Sequence, residues 1–66
     1  GLVERLALRT ALEDLPERER SVLLLRYYKG LTQAQSAKVL GVSQVQVSRL
    51  ERRAVDRLRQ VLDPPE

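Results

Sequence analysis

Ala37, Gly41, Val42, Val47 and Leu50 stand at a spacing that few chain geometries accept. Gly41 separates two segments of helical pattern, and glycine takes the left-handed backbone conformation that a residue with a Cβ resists. Ala37 lies four residues earlier, where a small side chain lets two helices approach closely. Val42 is placed to plug the turn, and Val47 and Leu50 share the inner face of the segment that follows. Two helices joined by a three- or four-residue turn centred on glycine form a helix-turn-helix arrangement. An ordinary helical hairpin tolerates other residues at most of these places.

Such a unit needs further helices to cover it, and the composition favours them. A chain of 66 residues makes one domain, and a domain this short buries only about 60% of the surface of its unfolded chain. It has no Cys and no His, which excludes disulfides, His/Cys zinc sites and histidine acid/base chemistry. No cofactor and no metal is expected. Without Phe or Trp, and with Tyr27 and Tyr28 as its two aromatics, the core is left to Leu, Val and Ala. No apolar run approaches the roughly 18 to 20 residues of a membrane span, and the first residues lack a signal-peptide stretch, so no membrane contact and a cytoplasmic location are expected. The chain contains no Met and is expected to be a fragment of a longer protein.

The apolar periodicity predicts an all-α domain over residues 1–66, four helices of winged-helix size with no wing. In the first helix, about 2–13, Leu2, Leu6, Leu8 and Leu12 recur at helical spacing. Asp14-Leu15-Pro16-Glu17-Arg18-Glu19 then reads as a helix start, with Asp14 as cap, Pro16 in the first turn and acids at the positive helix end. The second helix, about 16–28, carries Val22-Leu23-Leu24-Leu25, apolar on more than one face, and is therefore expected at the centre. Gly30 ends it. Thr32 caps a third helix, about 32–39, and Ser43 caps the fourth, about 43–61, with an apolar stripe of Val47, Leu50, Ala54, Leu58 and Val61. Asp63-Pro64-Pro65-Glu66 is expected to fray. The predicted core comprises Leu12, Leu15, Val22, Leu25, Ala37, Leu40, Val42, Val47, Leu50 and Leu58.

Charge is divided unevenly. Residues 1–20 carry Arg5, Arg9, Arg18 and Arg20 against five acids, whereas residues 21–59 carry eight Lys/Arg against Glu51 and Asp56. With Val47 and Leu50 inward, a rotation of about 100° per residue turns Val45, Arg49, Arg52 and Asp56 outward, flanked by Ser48 and Arg53. A recognition helix enters the major groove by its N-terminal end, so Gln44, Val45, Ser48 and Arg49 face base edges and Arg52 and Arg53 face phosphates. Arg can bond two acceptors of guanine, Gln can pair with adenine, and Val can touch a thymine methyl. Gln46 lies to one side, within reach of backbone or base. Thr32 and the Gln33 amide can hold a phosphate at the start of the third helix, unless Thr32 serves only as a cap. Arg26 and Lys38 lie near the same turn, as DNA contacts or as plain surface residues. Tyr27 and Tyr28 are expected to be partly buried, with stacking at the DNA backbone as the alternative.

The run from Leu15-Pro16-Glu17-Arg18-Glu19-Arg20 to Tyr28, then Lys29-Gly30-Leu31-Thr32 to Ala37, then Leu40-Gly41-Val42-Ser43 to Glu51, resembles region 4 of bacterial sigma factors. It is similar above all to alternative sigma factors of the sporulation, flagellar and general-stress group. The resemblance covers about residues 8–60, and Gly41–Glu51 is its most specific part. It implies that the full protein binds core RNA polymerase. It further implies that this domain reads the promoter −35 element in double-stranded DNA through Gln44, Val45, Ser48 and Arg49, and that its other side docks on the flap of the polymerase β subunit. Primary sigma factors usually carry a charged pair after the cap. This chain has Gln44-Val45, so its preferred −35 sequence is expected to differ. Ala34-Gln35-Ser36 also departs from the more usual acidic and aliphatic residues.

Two other binding functions compete. One is the DNA-binding output domain of a response regulator or repressor, which shares the four-helix form. The other is a domain captured mainly by an anti-sigma factor through apolar residues of the first two helices. An enzyme is not expected, because Ser36, Ser43 and Ser48 have no His and no nearby Lys base, and there is no Gly-rich phosphate loop.

Overall fold

A computed structural model describes residues 2–62. Gly1 and residues 63–66, where fraying is expected, lie outside the described part, as do the side chains of Leu2 and Glu4. The chain folds as α1 (Leu2–Asp14), α2 (Glu17–Leu23), a π-helical turn (Leu24–Tyr28), α3 (Gln33–Leu40) and α4 (Gln44–Leu62), with no strand among the described residues. None of these helices is long and apolar enough to cross a membrane.

The expected start of the second helix is corrected by one feature of Pro16. Asp14 closes α1 instead of capping α2, and Pro16 takes the cap position in an extended conformation, φ −52° and ψ 144°, with no side-chain cap bond. Proline disfavours helical backbone at the residue before it, so Leu15 cannot open the helix. The Pro16 carbonyl instead accepts the Arg20 N–H at 3.0 Å. Glu17 and Glu19 do occupy the first turn, where the helix dipole favours them.

Val22 and Leu23 are neighbours in sequence and serve different cores. Val22, fully buried, packs with Ala37 and Val47, with Leu40, Val42 and Leu50 around them; this cluster ties α2 to the helix-turn-helix. Leu23 packs with Leu15 and Ala54, flanked by Leu12, Val55 and Leu58, and ties α1 to α4. Adjacent helical residues diverge by about 100°, so α2 buries two faces, as its apolar block implied. Each fully buried Val contributes on the order of 1.5–3 kcal/mol.

Leu25, expected in the core, is only half-buried, and Leu23 takes the buried place. Ala11 on α1 and Leu15 just after it are buried, while Leu6 and Leu8 on α1 remain exposed. Tyr27 and Tyr28 are also exposed, contrary to expectation. Both lie in the π-helical turn, where the Lys29 N–H bonds Leu24 O at 2.9 Å, five residues back. The extra residue in that turn shifts the register of everything after Leu23.

Candidate DNA interface

Both helices of the motif begin with the same reciprocal cap. At α3, the Gln35 N–H donates to Thr32 Oγ1 at 3.1 Å and the Thr32 N–H donates to Gln35 Oε1 at 2.9 Å. At α4, the Gln46 N–H donates to Ser43 Oγ at 3.1 Å and the Ser43 N–H donates to Gln46 Oε1 at 3.0 Å. Each box satisfies two backbone donors that a helix start leaves open. Between the helices Gly41 has φ 70° and ψ 32°, and the Val42 N–H returns to Ala37 O at 3.0 Å. The glycine, the small residue and the plug are all at the places their spacing implied.

α4 presents Gln44, Val45, Ser48, Arg49, Arg52 and Arg53 on its exposed surface, over buried Val47 and half-buried Leu50. Val45 is 60% exposed, an apolar side chain left in water one turn before Arg49. Gln46 is exposed too, but its carbonyl oxygen is committed to the cap. Among the described residues, Arg49, Arg52 and Arg53 have no acid within ion-pair distance.

Arg18, at the start of α2, lines a cleft with Gln46, Arg49, Leu50 and Arg53. It adds a fourth guanidinium beside the face. Sequence periodicity missed it because the approach of α2 to α4 is a tertiary contact; the alternation of Glu and Arg from Glu17 to Arg20 was its only trace.

Arg26 and Gln33 are held differently. Arg26 Nε donates to Glu51 Oε1 at 2.7 Å and its Nη1 donates to Leu31 O at 2.7 Å. The Gln33 amide lies 3.4 Å from the same Glu51 oxygen, and Tyr27 Oη donates to Glu51 Oε2 at 3.0 Å. Burial pushes the Glu51 pKa up, but the hydrogen bonds from Arg26, Tyr27 and Gln33, with the Arg26 charge, hold it below the ordinary carboxylate value. The bond to Glu51 and partial desolvation raise Tyr27 in turn. Thr32 is exposed and works as a cap, and Lys38 is exposed on α3. A second ion pair joins α4 to α2: Arg57 Nε sits 2.9 Å from Glu19 Oε1, a carboxylate in a residue only 4% exposed.

α1, the π turn and α4 enclose an apolar groove of about 380 Å³, lined by Leu8, Leu12, Leu24 and Leu58 among others and edged by Tyr27 and Tyr28.

A family model for sigma-70, region 4, matches residues 11–60. The chain belongs to the sigma-70 region 4 family. It is 54% identical over 59 residues to the RNA polymerase sigma-F factor of Kitasatospora aureofaciens, a match covering 89% of this chain and 20% of that protein. It is 51% identical over 59 residues to the sigma factor SigF of Mycobacterium tuberculosis, covering 89% of this chain and 23% of the relative. With the sigma-F factor of Bacillus subtilis it shares 47% over 60 residues, covering 91% and 24%. The chain thus spans about a quarter or less of the length of these relatives. Membership in this family bears out the resemblance read from Leu15 to Glu51 and sets aside the response-regulator and repressor alternative.

Proposed function

We propose that this region 4 domain reads the −35 element of double-stranded promoter DNA as part of a sigma factor that directs RNA polymerase to start transcription. The observation that carries the reading is the α4 surface. A capped helix, braced from below by Val47 and Leu50, offers Gln44, Val45, Ser48 and Arg49 in its first two turns and two more arginines just beyond. The N-terminal turns of a recognition helix are those that reach base edges. Gln44, Val45, Ser48 and Arg49 therefore contact bases. Arg52 and Arg53 contact phosphates, and Arg18 joins them from across the cleft. The free N–H groups of the first turn of α3, at Gln33, receive a phosphate from the neighbouring strand segment. The domain works by binding alone, in the cytoplasm and at the nucleoid.

The apolar groove between α1, the π turn and α4 is assigned to the flap of the polymerase β subunit within the core enzyme. An anti-sigma factor that occupied this groove would compete with polymerase and leave α4 free.

The test is selection of duplexes from a randomised pool by the domain tethered to polymerase. Enrichment of one motif at a fixed distance upstream of the start site supports the reading. Equal recovery of all sequences, or recovery that survives neutralisation of Arg49, Arg52 and Arg53, overturns it.

A further inference from the structure

Glu51 occupies an unusual place for a carboxylate. Val47, Glu51, Ala54 and Leu58 fall at i, i+4, i+7 and i+11, the inward stripe of α4, and the Glu51 side chain is only 15% exposed. Three donors from two other elements converge on it: Arg26 and Tyr27 from the π turn and Gln33 from the first turn of α3. Two of the three donors are consecutive residues of the π turn. In an α-helix, side chains at adjacent positions diverge by about 100°; the turn widened by one residue narrows that angle, and Arg26 and Tyr27 reach the two oxygens of one carboxylate. Widened turns of this kind occur often at functional sites. The other arm of Arg26 donates to Leu31 O, the carbonyl immediately before the Thr32 cap of α3.

We infer that Arg26 and Glu51 are positioning residues for DNA reading: through the widened turn, they fix the rotation and depth of α4 relative to the start of α3. The inference rests on the reading of α4 as the recognition helix. Glu51 is flanked by Ser48, Arg49 and Arg52 on the same helix, so a rotation of α4 about its axis moves every base-facing side chain at once. Val47 and Leu50 resist such a rotation only by shape. The guanidinium fork resists it by direction, because one planar group is bonded to α4 through Glu51 and to the α3 cap through Leu31. Arg26 accordingly acts on DNA through Glu51, and its charge, neutralised by that carboxylate, adds little to phosphate attraction.

The experiment compares the chain with its Arg26→Lys, Glu51→Gln and doubly substituted variants. Lys keeps the charge and loses the fork; Gln keeps the shape and loses the charge. The probe is the duplex that the unsubstituted chain selects from a randomised pool, together with the single-base variants of that duplex. Folding is checked by helical circular dichroism and urea midpoints. Each single substitution is expected to reduce discrimination between the selected duplex and its variants by roughly three- to thirty-fold, a coupling of the size found between contacting residues. The dependence of binding on salt should keep its slope, and the double variant should lose little more than the worse single one. A uniform loss across all duplexes with discrimination intact shows a merely structural pair and overturns the inference. So does a fall of about one in the salt slope for Arg26 variants, the mark of a direct phosphate contact, and so does unfolding of both single variants. If the unsubstituted chain itself selects nothing, the reading of α4 falls and the inference with it; if it selects and the variants select equally well, the inference alone falls.

Discussion

Arg49 and its neighbours Arg52 and Arg53 are chemically alike and differ in depth along α4, so their substitutions should separate. Arg49 lies about one and a half turns past the Ser43 cap, shallow enough to meet a base edge. Its planar fork can bond guanine O6 and N7 together, which a lysine cannot do. Arg49→Lys should therefore keep the salt slope and relax discrimination at one base pair by roughly 1–3 kcal/mol. Arg52→Ala and Arg53→Ala should weaken binding to all duplexes alike and each lower the salt slope by up to about one. Titrations at several salt concentrations with single-base duplex variants distinguish the two patterns, and the reverse assignment would exchange them. Glu51 adds a pH dependence. Its folded pKa lies below the ordinary 4.5, so its contribution is fully present above that value and is lost as pH falls through the folded pKa. Urea midpoints should drop more steeply below pH 4.5 for the parent than for Glu51→Gln; parallel curves would show that the carboxylate is not held by its partners. These outward side chains were legible from periodicity alone, since burial of Val47 fixes what faces away. Arg18 and the Glu51 network were not, because contacts between α2, the π turn and α4 join residues far apart in sequence, 25 positions for Arg26 and Glu51.

At the scale of elements, local chemistry marked the ends of the motif helices well and the end of α2 poorly. Thr32, Ser43, Gly30 and Gly41 each act through the backbone of their own few residues, and all four stand where the sequence placed them. The Leu24–Tyr28 turn contains neither Gly nor Pro, and nothing in its composition distinguishes a widened turn from an ordinary one. The Asp14–Pro16 segment misled for a different reason: two rules compete there, and the restriction proline imposes on Leu15 prevails over the capping tendency of Asp14. Gly41 gives a clean measure of a local rule. It has φ 70°, and a Cβ built there would meet no atom within 4 Å. Gly41→Ala thus incurs only the conformational penalty, expected at roughly 1–2 kcal/mol. Gly41→Asn, which tolerates the left-handed region better, should cost less. Chemical denaturation of the three forms checks the order; equal stability of Ala and Gly would mean that the turn does not require its positive φ.

At the scale of the whole domain, the two proposed surfaces, the exposed α4 face and the apolar groove, share one small core, and its two clusters divide between them. The cluster of Val22, Ala37 and Val47 supports the helix-turn-helix, and that of Leu15, Leu23 and Ala54 underlies the apolar groove. α2 belongs to both, so the face proposed for DNA and the groove are joined through one helix, yet no α4 residue assigned to DNA lines the groove. Leu24 is suited to test that separation. It lines the groove, is 46% exposed and belongs to neither buried cluster, so Leu24→Glu should leave folding intact. A partner docked in the groove would bury this leucine, and full burial of such a side chain is worth on the order of 1.5–3 kcal/mol; a charge there would forfeit at least that much. Binding of the chain to an isolated β-flap fragment should accordingly weaken by about tenfold or more. Affinity for the selected duplex should stay unchanged, because Leu24 lines the groove and no α4 residue assigned to DNA does. Unaltered flap binding would move the docking surface off the groove. Loss of DNA binding at equal stability would show that the two surfaces are coupled through α2 and not independent.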